Sequence, residues 1–408
     1  MNTPRATWPA QSDTAAQRET VRRAFAIAVR DLRACYNPDG IVAGRLHFNA
    51  YWGRDGFWAM FGALALGDVD QALAQLTTFM RFQAPSGVLP VRVEFVGHTF
   101  GSYHTLRARP KVVGRAGGLF ADPIDSTALF LIAAHEYLQR THDTAFGRRF
   151  DPVMDRAIGW LARHDRDGDG ILESYFLADW MDSILKRNKV FNINVLYYVG
   201  LRRSEAFKRT IGLVEDAERL RRAADRVQKK LREIFWSGRY FVDWIGRRRR
   251  GGFSADGNVL AVFFDVATDA QAHEILTFIR EHGLDTATPL RTCYPVYPWW
   301  AVFPLYYLAG IPDYHRTLIW PWLGTLNAVA KGRLGDRAGA LADLARIGDW
   351  YVRGNAVNEV YDTEGRPLSR FFYHAEVPFA WNAGLYVYAV RTLGLDPGRP
   401  ETVAGGGA

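Results

Sequence analysis

The chain of 408 residues carries 51 Lys and Arg against 43 Asp and Glu, a formal charge of +8, with 48% hydrophobic and 14% aromatic residues. That length and apolar content supply a large core, and no run is long and apolar enough to span a bilayer. The basic excess is spread along the chain; its one dense run, GRRRRGG at 246–252, reads as a solvated loop with no nucleic-acid motif beside it.

In chain order, 1–13 reads as a frayed tail and helical periodicity begins at 14–34. After WGRD at 52–55, residues Phe57, Met60, Phe61 and Leu64 form one apolar stripe, and Leu73, Leu76 and Met80 repeat the pattern at 68–82. In the segment from 87 to 97, Val91, Val93 and Phe95 alternate onto one face of a short strand. At 121–140, Asp122 is placed to cap a helix, Pro123 suits its first position, and Asp125 lies near its positive end. Further helices are expected at 151–163, 190–207, 211–235, 256–264, 269–282, 300–309, 313–332, 336–353 and 376–394, and RYFVDWI at 239–245 is expected to pair locally. The chain from 396 to 408 reads as a second tail. About a dozen helices joined alternately by short and long connections, without a composition break over 14–395, predict one all-α domain. Paired helices of this kind can be wound into an (α/α)6 toroid, six inner and six outer, with a few short β-hairpins in loops that meet at one end.

Chemistry concentrates in those loops. Trp52, Arg54 and Asp55 stand immediately before a helix, and a neighbouring guanidinium and carboxylate can hold adjacent hydroxyls of one sugar ring or simply pair with each other. LADWMDS brings Asp179 and Asp182 around Trp180, whose apolar ring would keep a nearby carboxyl protonated, as a proton donor requires; either aspartate could serve, or both could cap a helix. A second carboxylate is offered by Glu359 or Glu376. Asp165, Asp167 and Asp169 imitate the start of a calcium loop, but the twelfth position is Phe176 where a bidentate Glu is needed, so an inter-helix turn is preferred to a structural Ca²⁺. Cys35 and Cys293 match no metal spacing or redox pair, the histidines at 47, 98, 104 and 135 form no ligand motif, and no cofactor is expected. Without an apolar signal core at residues 1–20, the expected location is the cytoplasm, with neither membrane nor nucleic acid as partner.

Taken together, WGRDGFWAMFGAL, DWMDS with the following VFNINVLYYVGL, IWPWL, and NEVYDTEGRPLSRFFYHAEVPFAWNAGLYVYAV resemble, in order from about 47 to 393, the glucoamylase-like (α/α)6-toroid glycoside hydrolases. The likeness is closest to the catalytic domains of glycogen debranching α-1,6-glucosidases and glucoamylases. It implies an inverting hydrolase of a small carbohydrate, with Asp182 as general acid, Glu359 as general base, and Arg54 and Asp55 holding sugar hydroxyls. It also implies supporting or wall positions for Trp52, Asp125, Asp179, Trp180, Trp299, Trp320, Trp322, Glu376 and Trp381. The chain is too short for the N-terminal domain that many such enzymes carry, which favours an α-glucoside, a disaccharide, or a glucosylated or mannosylated compatible solute over a polymer. A sugar epimerase on the same toroid, using His104, His135 or His374, and a non-catalytic carbohydrate-binding protein are the competing readings.

Overall fold

The computed structural model describes residues 14–95, 110–113, 124–247 and 251–396. The two tails (apart from Asp396 of the second), the Asp122–Pro123 cap, His98, His104 and part of the Arg-rich run lie outside the described residues. Among those described there are thirteen α-helices: α1 (Ala15–Ala34), α2 (Gly53–Leu66), α3 (Val69–Arg81), α4 (Ile124–Thr141), α5 (Thr144–Ala162), α6 (Phe191–Thr210), α7 (Val214–Phe235), α8 (Ala255–Phe263), α9 (Asp269–Glu281), α10 (Pro304–Leu308), α11 (Pro321–Arg333), α12 (Arg337–Gly354) and α13 (Ala380–Thr392). None is long and apolar enough to cross a membrane.

Two kinds of helix are distinguished by their burial. In α7 only Ala217, Leu220, Ala224, Val227, Leu231 and Phe235 are buried, a single stripe at helical spacing, so one side faces solvent. In α2, α8, α11 and α13 nearly every residue is buried, so these helices are covered all round. The packing follows from this difference. Helices α2, α4, α6, α8, α11 and α13 touch in that order and close on one another as an inner ring, while α1, α3, α5, α7, α9 and α12 pack outside it. This is the expected (α/α)6 toroid. Its closure between α2 and α13 depends on two glycines: a Cβ on Gly62 would clash with the carbonyl oxygen of Gly384, and one on Gly384 would lie 2.6 Å from Cα of Ala59. Any side chain there would wedge the inner ring open.

Inner-to-outer connections are short, as at 67–68, 142–143 and 334–336, whereas outer-to-inner connections are long and gather at the N-terminal ends of the inner helices. They carry small antiparallel pairs: Tyr51–Trp52 with Arg92–Phe95, which also pairs with Pro110–Val113, and Ser369–Arg370 with Tyr373–His374. Two local expectations are corrected. The helix expected from 151 starts at Thr144, because the Asp143 carboxylate caps it through the Phe146 amide at 2.9 Å and Pro152 is accommodated inside. The helix expected over 313–332 starts only at Pro321, the proline taking its first turn while Ile319 pairs with Tyr361. The segment 239–245 pairs locally as expected, Phe241 with Trp236 and Val242 with Phe253, and Trp244–Ile245 also joins Asn188–Val190, whose pairing with Glu173–Ser174 closes the loop bearing Asp182.

Candidate active site

The inner-helix N-termini and the long loops enclose a cavity of about 170 Å³. Trp52 and Arg54–Asp55 reach it from the start of α2, Trp180 and Asp182 from the loop before α6, Trp320 from the start of α11, Glu359 from the loop after α12, and Trp381 from α13. Asp125 and Trp322 lie against a much smaller void that shares Arg54, Trp180 and Trp381 with the main cavity. Asp179, Trp299 and Glu376 are not on the cavity wall.

Asp182 and Glu359 both face this one cavity and are held differently. Asp182 accepts one hydrogen bond, from the Tyr306 hydroxyl to Oδ1 at 2.5 Å, and among the described residues its Oδ2 has no partner. Glu359 is surrounded by donors: the Tyr314 hydroxyl bonds Oε1, Tyr373 donates to both oxygens at 2.9 and 2.7 Å, and the Glu376 amide reaches Oε2 at 3.1 Å. Burial raises both carboxyls above their ordinary range, Glu359 to about 7. Arg54 and Tyr306 oppose the rise at Asp182, and the two phenols and the amide oppose it at Glu359. Burial likewise lifts Asp55 to about 6, against the neighbouring Arg54.

Arg54 is fixed by its Nη1 on Asp125 at 2.8 Å, and Asp125 in turn accepts the Ser126 amide at 2.6 Å in the first turn of α4. Among the described residues, Nε of Arg54 and the indole nitrogens of Trp52 and Trp381 are buried without a partner. All three residues contribute to the cavity wall. A buried unpaired donor is costly, so a ligand rich in acceptors gains by entering.

Asp179 is a support for the neighbouring loop. Its Oδ2 lies 2.8 Å from Nζ of Lys186, which also reaches Asp243 at 3.2 Å, so the pair ties together both ends of the segment with Asp182 in its middle. Burial opposes the Lys186 charge, but Asp179 and Asp243 outweigh it and hold the ammonium protonated. The Trp180 indole donates to Asp256 at 2.6 Å, and its ring stands nearly perpendicular to those of Trp320 and Trp322. Glu376 turns its carboxylate away from the cavity, accepting the amides of Leu46 and Phe48. Trp299 is 70% exposed on the rim.

Several cavity groups were not singled out from the sequence: Phe48, Tyr306, Ile311, Tyr314, His315, Tyr373 and Phe379. His315, stacked on Trp320 and bonded through Nδ1 to the Ser183 hydroxyl at 2.8 Å, is kept neutral by burial. A density of aromatic residues over 294–320 was the available signal, but it does not say which rings point inward. Of the other histidines, His135 is buried in α4 and His374 bonds Ser369 on the rim hairpin. The ligand oxygens of Asp165, Asp167 and Asp169 do converge within 4.8 Å. Lys189 places its ammonium 2.7 Å from Asp167 and 2.6 Å from Asp169, so a side-chain cation already sits against two of the three carboxylates.

No protein-family model matches the sequence, and no curated protein does. Solved structures do match in fold. A rhamnosidase from Klebsiella oxytoca with rhamnose bound superposes with a TM-score of 0.69 at 18% identity over 95% of this chain, which spans 66% of that protein's length. A GH63 mannosylglycerate hydrolase from Thermus thermophilus in complex with Tris gives 0.69 at 15% identity, covering 90% of this chain and 99% of that one. A wild-type glycosidase gives 0.67 at 16% identity, covering 94% and 98%. The chain has the fold of these toroid glycosidases.

Proposed function

We propose that this chain is an inverting glycoside hydrolase acting on a small α-glycoside, with Asp182 as general acid and Glu359 as general base. The observation that carries the reading is the unequal hydrogen bonding of two buried carboxyls on one cavity wall. Glu359 accepts donors on both oxygens, an arrangement that suits the anion, since a carboxylate only accepts. Asp182 keeps Oδ2 free to carry and deliver a proton.

In the reaction, Asp182 passes its proton to the glycosidic oxygen as the bond to the anomeric carbon breaks. A water on the opposite face attacks that carbon and loses a proton to Glu359, and the product sugar leaves with inverted configuration. Inversion asks for carboxyls roughly 6.5–9.5 Å apart, with the water between them. Arg54, Trp52 and Trp381 supply donors to ring hydroxyls, and the rings of Trp180 and Trp320 exclude bulk water.

The size of the site supports a small substrate. At about 170 Å³ the cavity is below the roughly 300–1,000 Å³ usual for drug-sized ligands, which suits a single sugar ring with its aglycone toward the rim. The fold likeness to a mannosylglycerate hydrolase and to a glycosidase solved with glucose supports a glucosyl or mannosyl group, including that of a compatible solute. Cys35 and Cys293 are both free and buried, in keeping with a cytoplasmic location. A panel of α-glucosides, α-mannosides and maltooligosaccharides, followed by proton magnetic resonance of the newly released anomer, tests the reading. Release of the β-anomer from an α-linked substrate is expected; interconversion of sugars without cleavage would replace hydrolysis by epimerisation.

A further inference from the structure

Two segments that supply cavity tyrosines, and the turn at 299–301 beside them, carry the four most exposed large apolar side chains among the described residues. Tyr306 lies in α10 and Tyr373 in the 369–374 hairpin; both line the cavity. Around them Trp299, Trp300, Leu305, Leu308, Phe371 and Phe372 face outward, with Phe371 91%, Leu308 76% and Trp299 70% exposed. The segments are joined: Arg370 bonds the Gly310 carbonyl at 2.7 Å and holds the Asp313 carboxylate at 2.7 and 2.6 Å, and the Tyr307 hydroxyl donates to the Trp299 carbonyl at 2.8 Å. These bonds hold the three segments side by side on one rim.

We infer that this rim is the self-association face of the protein and that its occupant is a second copy of the chain. Three observations favour a second copy over other occupants. With a large aromatic side chain covering about 150–250 Å², the exposed fractions amount to roughly 700–900 Å². That is above the roughly 300–600 Å² of the largest patch on an ordinary monomer and close to the ~800 Å² per partner of a standard interface. Tryptophan, leucine and phenylalanine contribute two residues each, and the Arg370 guanidinium among them is already paired with Asp313, so apart from the indoles little is left to hydrogen-bond a sugar or an acidic partner. The chain as a whole carries +8, which opposes self-association through most faces, whereas this one meets its own copy without like-charge repulsion. A two-fold interface here would bring two cavity mouths together and buttress α10 and the hairpin, and with them Tyr306 and Tyr373.

Sedimentation of the full chain between about 0.1 and 100 µM, a range that brackets ordinary dimer affinities, tests this without any substrate. The expected result is a species of twice the 46.1 kDa chain mass. The double variant Leu308→Ser, Phe371→Ser is expected to weaken dimerisation by about 30-fold or more, the effect of losing a central anchor. Its far-ultraviolet dichroism should be unchanged; Trp299→Ser, from the other end of the patch, gives an independent second variant. A monomer throughout the range, or a dimer untouched by all three substitutions, overturns the inference. So does a monomer in which these substitutions alter only KM, since the surface would then serve the substrate.

Discussion

Tyr314 sets its hydroxyl on Oε1 of Glu359, and the same hydroxyl lies 2.9 Å from that of Tyr373, which bonds Glu359 as well. The carboxylate is thus held by a pair of coupled phenols. Burial raises Glu359 to about 7, and the Tyr314 hydrogen bond pulls the other way. A base must be ionised, so activity should fall as pH drops through this region. Removing the bond in Tyr314→Phe raises the value further, and the acid limb of the kcat/KM profile is expected to move to higher pH. With a bond to a charged group worth roughly 1.5–3 kcal/mol, the loss at pH 6 should be on the order of tenfold or more. The limbs belong to the interacting groups jointly, so the direction of the change between wild type and variant is the quantity to read. An acid limb that stays in place would detach Tyr314 from the base.

Asp182→Asn and Glu359→Gln should each lower kcat by about 10²–10⁴-fold. Stability should respond in the opposite sense. The folded-state value of Glu359 is raised from 4.5 to about 7, so its contribution is fully present below 4.5 and is lost as pH rises toward 7. Above that window the buried anion costs stability that a neutral amide does not. Glu359→Gln is therefore expected to raise the unfolding free energy at pH 8 by on the order of 1–3 kcal/mol, and Tm with it, and to change both little at pH 4.5. Thermal melts of both proteins at the two pH values decide this; a variant less stable than wild type at pH 8 would contradict the buried-anion account.

The inner ring was legible because a helix buried on every side has an apolar sequence on every side, as α2 and α13 do, and because short and long connections alternate along the chain. The starts of α5 and α11 were not. In each, a proline admits two readings, and the winner was decided by a contact outside the helix: the Asp143 cap in one, the Ile319–Tyr361 pairing in the other. The same limit applies at the site. WGRD and DWMDS are compact words, so Arg54, Asp55, Trp180 and Asp182 could be picked out locally. Tyr306, Tyr314 and Tyr373 come from separate loops and acquire their roles only when folding brings their hydroxyls to Asp182 and Glu359.

Lys189 makes a specific prediction about calcium. Its ammonium contacts Asp167, Asp169 and, at 3.5 Å, Glu173, which places one positive charge where a bound cation would sit. Millimolar CaCl₂ or EDTA should leave the Tm of the wild-type protein unchanged. Lys189→Ala removes that charge and leaves the carboxylates to repel one another, so it should lower Tm by a few degrees, with Ca²⁺ restoring part of the loss. A wild-type protein that gains several degrees from Ca²⁺ would show that the lysine yields its place to the ion.

Glu376 donates its amide to Glu359 at 3.1 Å, yet its own carboxylate oxygens are held by the backbone of the loop before α2. The Leu46 and Phe48 amides donate to it, and a Cβ on Gly44 would clash with its Cγ, so the loop wraps the side chain closely. Phe48 then stands on the cavity wall. Glu376→Gln exchanges one acceptor for a donor facing those amides and leaves a buried N–H without a partner, a cost of about 1–3 kcal/mol. The loop should loosen, so Tm falls and KM rises while kcat keeps most of its value. Gly44→Ala, which crowds the same contact from the other side, should reproduce that pattern. Steady-state kinetics beside Glu359→Gln separates the two carboxylates, because the base substitution acts on kcat. Should Glu376→Gln abolish kcat as completely, the proton would have to be taken by Glu376, and the loop amides would be holding a catalytic group.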